Sequence, residues 1–465
     1  MPESDLSLCA HLMRRAGFGA RQDELETIAQ KSYEAVVEDL LYPERFPDVD
    51  QDLLERYHDA PGGHSFSGHW VFRMINSQRQ LQEKMALWCH QIFATGITKV
   101  AHFYSSGDQI QMFRRVCLTD LRTLLMEVSK DPAMVFWLDN NENHKEEVNE
   151  NYGRELLELF STGVGNYTED DVKACARAFT GWTLKTPIIG AGYPIYHRSQ
   201  FKYVGEDHDG GVKAFLGEAG QFNGEDVIDI IVKQPAAANF ISRHLYNFFV
   251  ADEPPVASWN ELPPQDPEAI DTLTRAYFDS NADFREILRV LLNADFFKDA
   301  RFKKVKSPIE LVTGLIKLVG THRFPSPSRT SPPEFGVTRG MGQQLLNPLT
   351  VEGWHTGSEW IDGGTLNERV NFSVNQIEAS KPGIRDIVRR LGANGSSLSP
   401  GEFVDRCLDL AGHLVVGEDT RERLLEHAES RGEVQISGSG DQNGSEDKVV
   451  RMLQLIVSTR EYQFG

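Results

Sequence analysis

The sequence predicts a mainly α-helical protein: a large multi-helix globular fold with long irregular loops and little β-structure. Three observations carry that prediction. Apolar residues recur at three- and four-residue spacing through most of the chain. Period-two alternation is scarce. Helix-start signals recur in the form of capping boxes, at Thr168 with Asp171 and at Ser307 with Glu310.

Taken in order, residues 4–15 and 21–41 read as two helices parted by the turn Gly17, Phe18, Gly19. After a Gly/Ser/His-rich break from Pro61 to Gly68, one long helix runs through HWVFRMINSQRQLQEKMALWCHQIFAT, with Met74, Leu81, Met85, Trp88 and Ile92 as its buried seam. The next, about 109–129, ends before Asp131 and Pro132, where proline at the first helical position restarts a shorter one.

A helix beginning near Asn151 sets Asn151, Glu155 and Glu158 on one stripe, because residues at i, i+4 and i+7 share a face. Tyr152, Leu156, Leu159 and Phe160 lie beside that stripe as the burying face, and Gly163 and Gly165 stop the helix. The Thr168 capping box then starts a second helix carrying Arg177. From Lys185 to Gly224 the pattern dissolves into Gly, Pro, His, Tyr and Asp, with Gln200–Val204 as the predicted strand. Loops of that length in a compact helical protein tend to be functional.

Helices resume at about 226–233, 236–250, 267–280 and 283–293, and Ser307, Pro308 and Glu310 open one that runs to Val319. Pro325–Phe335 reads as a linker, and the Gly- and Trp-rich run after it has little regular structure before about Thr365. Helices at 400–415, 418–430 and 448–459 follow, with a flexible Gly/Ser insertion at about 431–446. Residues 1–325 are thus expected to form a helical core with a polar cavity, and 326–465 a C-terminal helical extension packed on it.

With Lys plus Arg at 48 against Asp plus Glu at 68, the net charge of −20 disfavours phosphate backbones and anionic lipid surfaces, so neither nucleic acid nor membrane is an expected partner. The five cysteines are widely spaced and form no CxxC, which suits reduced thiols. The opening MPESDLSLCAHLMRRAGFGA has neither the basic start nor the apolar core of a signal peptide, and the expected setting is cytoplasmic.

For chemistry, the first expectation is a divalent metal held by His90, His208 and Asp209, since imidazole with carboxylate suits zinc, manganese or iron. Against it stands a His208 that only bridges a turn. No HExxH or HxH occurs, and the lone ExxH, Glu352 to His355, lies in an irregular segment. The second is a carboxylate pair, Glu155 and Glu158, working as acid and base, with Arg154 or Arg177 stabilising developing negative charge. The competing account is a structural brace that pairs Arg154 with Glu158 and Arg177 with Glu155. Asn151, Trp182, Trp354 and Trp360 are candidate binding residues, although burial favours the competing account in which the tryptophans plug the joint between the C-terminal part and the helical core. No GxSxG elbow, P-loop or dinucleotide fingerprint is present. The functional expectation is therefore a metal-assisted enzyme, hydrolytic or oxidative, with a His/Glu/Asp/Arg cavity. The alternative is a non-catalytic scaffold or partner-binding protein whose polar cluster is structural.

Seven ordered blocks, HLMRRAGFGA, QLQEKMALWCHQIFAT, NENYGRELLELFSTGVGNYTEDDVKACARAFTGW, FKYVGEDHDGGVKAFLG, KVKSPIELV, LNPLTVEGWHTGSEW and STREYQFG, resemble the bacterial domain-of-unknown-function 1800 family nearly end to end. Relatives often carry a second histidine where this chain has Ile92. The resemblance implies no assigned activity. It does imply that relatives are often exported and encoded beside a sulfatase-like protein, a partner expectation for this chain as well.

Overall fold

The computed structural model describes the chain except residues 1–4, 57–62, 187–197, 321, 323–332, 392–395 and 437–443. Among the described residues it has 24 α-helices and three two-stranded antiparallel sheets, so the mainly α prediction holds. Side-chain caps set many helix starts: Asp5 accepts from the Ser7 N–H (3.0 Å), Asp120 from Thr123 (2.9 Å), Asp131 from Met134 (3.0 Å), and both predicted capping boxes close.

Three stretches expected as single helices are each divided. Residues 21–41 split into Gln22–Ile28 and Tyr33–Leu41, because the Ser32 hydroxyl caps the second piece through the Ala35 N–H. The long Trp-containing stretch splits into Gly63–Asn76 and Gln80–Ile92, where Ser77 accepts from the Arg79 N–H and the Gln80 amide donates to the Met74 and Ser77 carbonyls. The third becomes Phe103–Val116 and Leu121–Lys130, around Asp120, whose backbone also bridges to Asp283. In each case polar side chains satisfy the freed backbone groups, so the apolar period continues across a break it does not reveal.

The predicted strand is Phe201–Tyr203, pairing with Trp182–Leu184 with Trp182 opposite Tyr203. Two further pairs lie beyond the expectation: Lys213–Phe215 with Glu218–Gly220, and Ser396–Leu398 with Val434–Ile436. The last strand falls inside the expected flexible insertion, of which residues 437–443 lie outside the described residues, and a helix begins at Ser445. Of the expected linker, residues 325–332 lie outside the described residues and a helix starts at Pro333.

One cluster of buried apolar side chains joins Leu12, Phe113, Leu156 and Leu245 to Ile377, Met452 and Ile456. The Gly363–Ala379 helix packs on both the Pro308–Val319 and Ser445–Val457 helices. At the centre, Glu310 bonds Arg15 (3.2 Å) and Lys84, and nearby the buried Glu83 bonds Arg114 (2.8 Å). No helix among the described residues is long and apolar enough to cross a membrane.

Candidate functional site

The Asn151–Glu158 helix exists as expected, but the arginines around it have other partners. Arg154 donates to Glu169 (2.9 and 2.7 Å) and to Glu150 (3.4 Å). Arg177 donates to both oxygens of Asp209 (2.6 and 3.2 Å). The expected brace of Arg154 with Glu158 and Arg177 with Glu155 is therefore corrected. The guanidiniums point to the first turn of the next helix and to the following loop, which reach them first. Asn151 spends its amide on the Leu138 carbonyl (3.1 Å), fastening the helix start.

The expected metal group is corrected as well. His90 is fully buried between the rings of Trp70 and Trp354, at centroid distances of 5.6 and 5.2 Å, and its Nε2 accepts the Leu346 N–H (3.1 Å). Burial lowers its pKa to about 3, so the ring is neutral and its acceptor lone pair is spent on backbone. His208 packs against Tyr203 and its Nδ1 lies 3.1 Å from the Thr180 carbonyl, while Asp209 is held low, to about 2, chiefly by the Arg177 hydrogen bonds. Among the described residues no three His, Cys, Asp or Glu side chains are grouped to hold a metal ion.

Trp182 is a core residue, 2% exposed, with its indole N–H on Asn223 (2.8 Å). Trp360 is equally buried. Trp354, in contrast, forms part of a wall.

That wall belongs to a cavity of about 1160 Å³. One side is the end of the Asn151–Glu158 helix and the turn after it, contributing Glu158, Thr162 and Asn166. A second is the Pro235–Phe249 helix, which turns Asn239, Arg243, His244 and Asn247 inward. A third is the irregular segment with Glu352, Trp354 and His355, and a fourth the Glu253–Trp259 loop. Gly353 brings the third wall into place: its φ is +91°, and a Cβ there would lie 2.2 Å from the Gln91 carbonyl oxygen, so only glycine lets the loop press onto the end of the His90 helix.

Cations inside the cavity are already engaged. Arg243 donates to Glu253 (2.8 Å) and to the carbonyls of Leu262 (3.0 Å) and Pro263 (3.1 Å), and its guanidinium lies 4.5 Å over the Trp259 ring. Of the lining carboxylates, Asp252 pairs with Lys304, Glu253 with Arg243 and Glu359 with His355. Glu158 accepts the Tyr167 hydroxyl (2.7 Å). Glu155, one turn behind it, is raised to about 7 by burial first, then by Glu158, with Glu352 adding and Arg154 opposing. Glu155 thus feels carboxylates from two walls. His244 packs between Phe240 and Trp259, at 4.5 and 4.6 Å, and its buried Nε2 has no hydrogen-bond partner. Burial, reinforced by Arg243, lowers it to about 3.

Of the expected site residues, Glu158 and Trp354 line this cavity and Glu155 couples to it. Arg154, Arg177, His90, His208 and Asp209 do not line it. The sequence reasoning missed Asn239, Arg243 and Asn247, although their four-residue spacing marks a polar stripe on an otherwise apolar helix.

The family described as "Protein of unknown function (DUF1800)" matches residues 11–464. No curated protein and no solved structure matches the chain.

Proposed function

The chain belongs to the DUF1800 family, whose description assigns no function, and from the geometry of the cleft we propose that it is a hydrolytic enzyme acting on a polyhydroxylated, sugar-like substrate by general acid–base chemistry. The observation that carries this reading is the cavity of about 1160 Å³ in which the Glu158 and Glu352 carboxylates face a wall of amides and aromatic rings. Amides and carboxylates bond hydroxyls, and ring faces take the C–H surface of a sugar. Glu158 is the group placed to draw a proton from water, because it lines the cavity and keeps one orienting hydrogen bond from Tyr167. Glu155, one turn behind it and raised to about 7 by burial first and then by the Glu158 charge, is the neighbouring group that holds a proton near neutral pH. The metal-assisted form of the reading is not carried forward, because its three ligands are already engaged elsewhere in the fold.

The scaffold reading has one observation in its favour: Arg154 and Arg177 are both committed to ion pairs outside the cavity. A panel of nitrophenyl glycosides separates the two. Turnover by the wild-type chain that drops about 10²- to 10⁴-fold in Glu158→Gln, with the melting temperature held, supports the enzyme. If no glycoside is cleaved and no free sugar shifts the melting temperature, the cleft is not a sugar hydrolase and the scaffold stands.

A further inference from the structure

A second cavity, of about 780 Å³, lies away from the acidic cleft, between the N-terminal helices and the end of the Pro308–Val319 helix. One part of its lining is aliphatic and aromatic, Met13, Ile28, Val36, Leu40, Phe46 and Ile75, and the rest is polar or charged. Lys317, 9% exposed, is one of its lining residues. The amine donates one hydrogen bond, to the Gln80 Oε1 (3.1 Å). The Gln80 amide nitrogen donates to the Met74 and Ser77 carbonyls (3.2 and 2.6 Å), which fixes the oxygen toward the lysine.

The other charged groups of the cavity are turned to one another. Arg21 pairs with Asp23 (3.0 Å), Lys31 with Asp39 (2.5 Å), and Glu24 accepts the Arg21 backbone N–H (3.0 Å). We propose that Lys317 is the amine of a carbonyl-condensing site that takes an apolar aldehyde, its chain lying along the aliphatic wall. Burial lowers the amine to about 8, with Glu24 opposing and Arg21 adding, so a useful fraction is unprotonated near neutral pH.

The step balances without a redox partner. The amine lone pair forms a bond to the carbonyl carbon, and a proton passes from nitrogen to the carbonyl oxygen. The carbinolamine then loses its hydroxyl together with the remaining N–H proton as water, the nitrogen lone pair closing the C=N bond to Nζ.

The test uses the full chain with hexanal and cyanoborohydride at pH 7, followed by peptide mapping. A buried amine near 8 has about 10²-fold more neutral form at that pH than an ordinary lysine near ~10.4. Lys317 is therefore expected to be labelled about one to two orders of magnitude faster than exposed lysines, with a midpoint near 8. Gln80→Glu, which sets a carboxylate beside the amine, is expected to raise that midpoint and slow labelling at pH 7 at least several-fold in the folded protein. Labelling of Lys317 no faster than exposed lysines overturns the proposal. So does an aliphatic acid that shields Lys317 while hexanal leaves no trapped adduct there.

Discussion

Glu155 and Glu310 are both acids among neighbours that decide their charge, and they are pushed in opposite directions. At Glu155, burial and the nearby Glu158 raise the carboxyl to about 7. An acid raised in the folded state contributes stability that is complete below its unfolded value near ~4.3 and is lost as pH climbs through about 7. Glu155→Gln should therefore melt like wild type at about pH 4 and at a higher temperature at pH 8. Equal melting at both values would show that Glu155 is not raised in the folded chain. At Glu310, burial alone would raise the carboxyl, but Lys84 and Arg15 outweigh it and hold it far below its ordinary range. Glu310→Gln leaves two buried cations without a counter-charge, a change that costs ~3–5 kcal/mol and is measurable by denaturant unfolding. Legibility at this scale depended on local period. Glu158 was readable because it shares a helical stripe with Asn151 and Glu155. The partners of Arg154 and Arg177 were not, because Glu169 and Asp209 meet them only after a turn and a loop close.

Helices were legible where a cap or a proline marks a boundary, as at Asp131–Pro132 and Ser307–Pro308. Breaks satisfied by side chains inside an unbroken apolar period, as at Ser77–Arg79, were hidden. The three-residue strands were too short to alternate visibly, since Lys213–Phe215 offers one period and a half. One element contact also explains a glycine in the middle of a helix. A Cβ on Gly153 would stand 2.9 Å from the Ala176 nitrogen and 3.2 Å from the Val172 carbonyl oxygen, so the Asn151–Glu158 and Glu169–Ala178 helices approach backbone to backbone there. Backbone cannot move aside as a side-chain tip can. Gly153→Ala is expected to destabilise by ~1–3 kcal/mol through overpacking, although alanine is the better helix former. Gly210→Ala, with open space around its Cβ, serves as the control and should melt within a degree or two of wild type. Since Glu158 rides on the displaced helix, Gly153→Ala should also weaken whatever the cleft binds.

Over the whole molecule, the buried titratable groups set how stability depends on pH. His11, His90 and His244 are each lowered to about 3, burial being the first cause in all three. Below ~6.5 the unfolded chain protonates them and the native chain does not, so stability falls as pH falls. Asp131 and Glu155 act the other way: raised to about 7, they hold protons in the native chain that the unfolded chain releases until pH drops to ~4. Between ~6.5 and ~4.5 the three histidines are thus opposed by these two acids and by Glu83 and Asp108, which burial also raises, so the net slope is shallow. Below ~4 the offset vanishes because unfolded carboxylates protonate too, and Glu310 and Asp209, both held low in the fold, add to the histidines. Unfolding free energy should therefore decline gently from neutral pH and then bend steeply near pH 4. Asp131→Asn preserves the acceptor that caps the Met134 N–H but removes one compensating proton, so its upper limb should steepen by about one proton. Chemical unfolding at a series of pH values reads both slopes. A single uniform slope, or an Asp131→Asn limb parallel to wild type, would mean that these five side chains are solvated in the folded chain and that the buried placement described for them does not hold in solution.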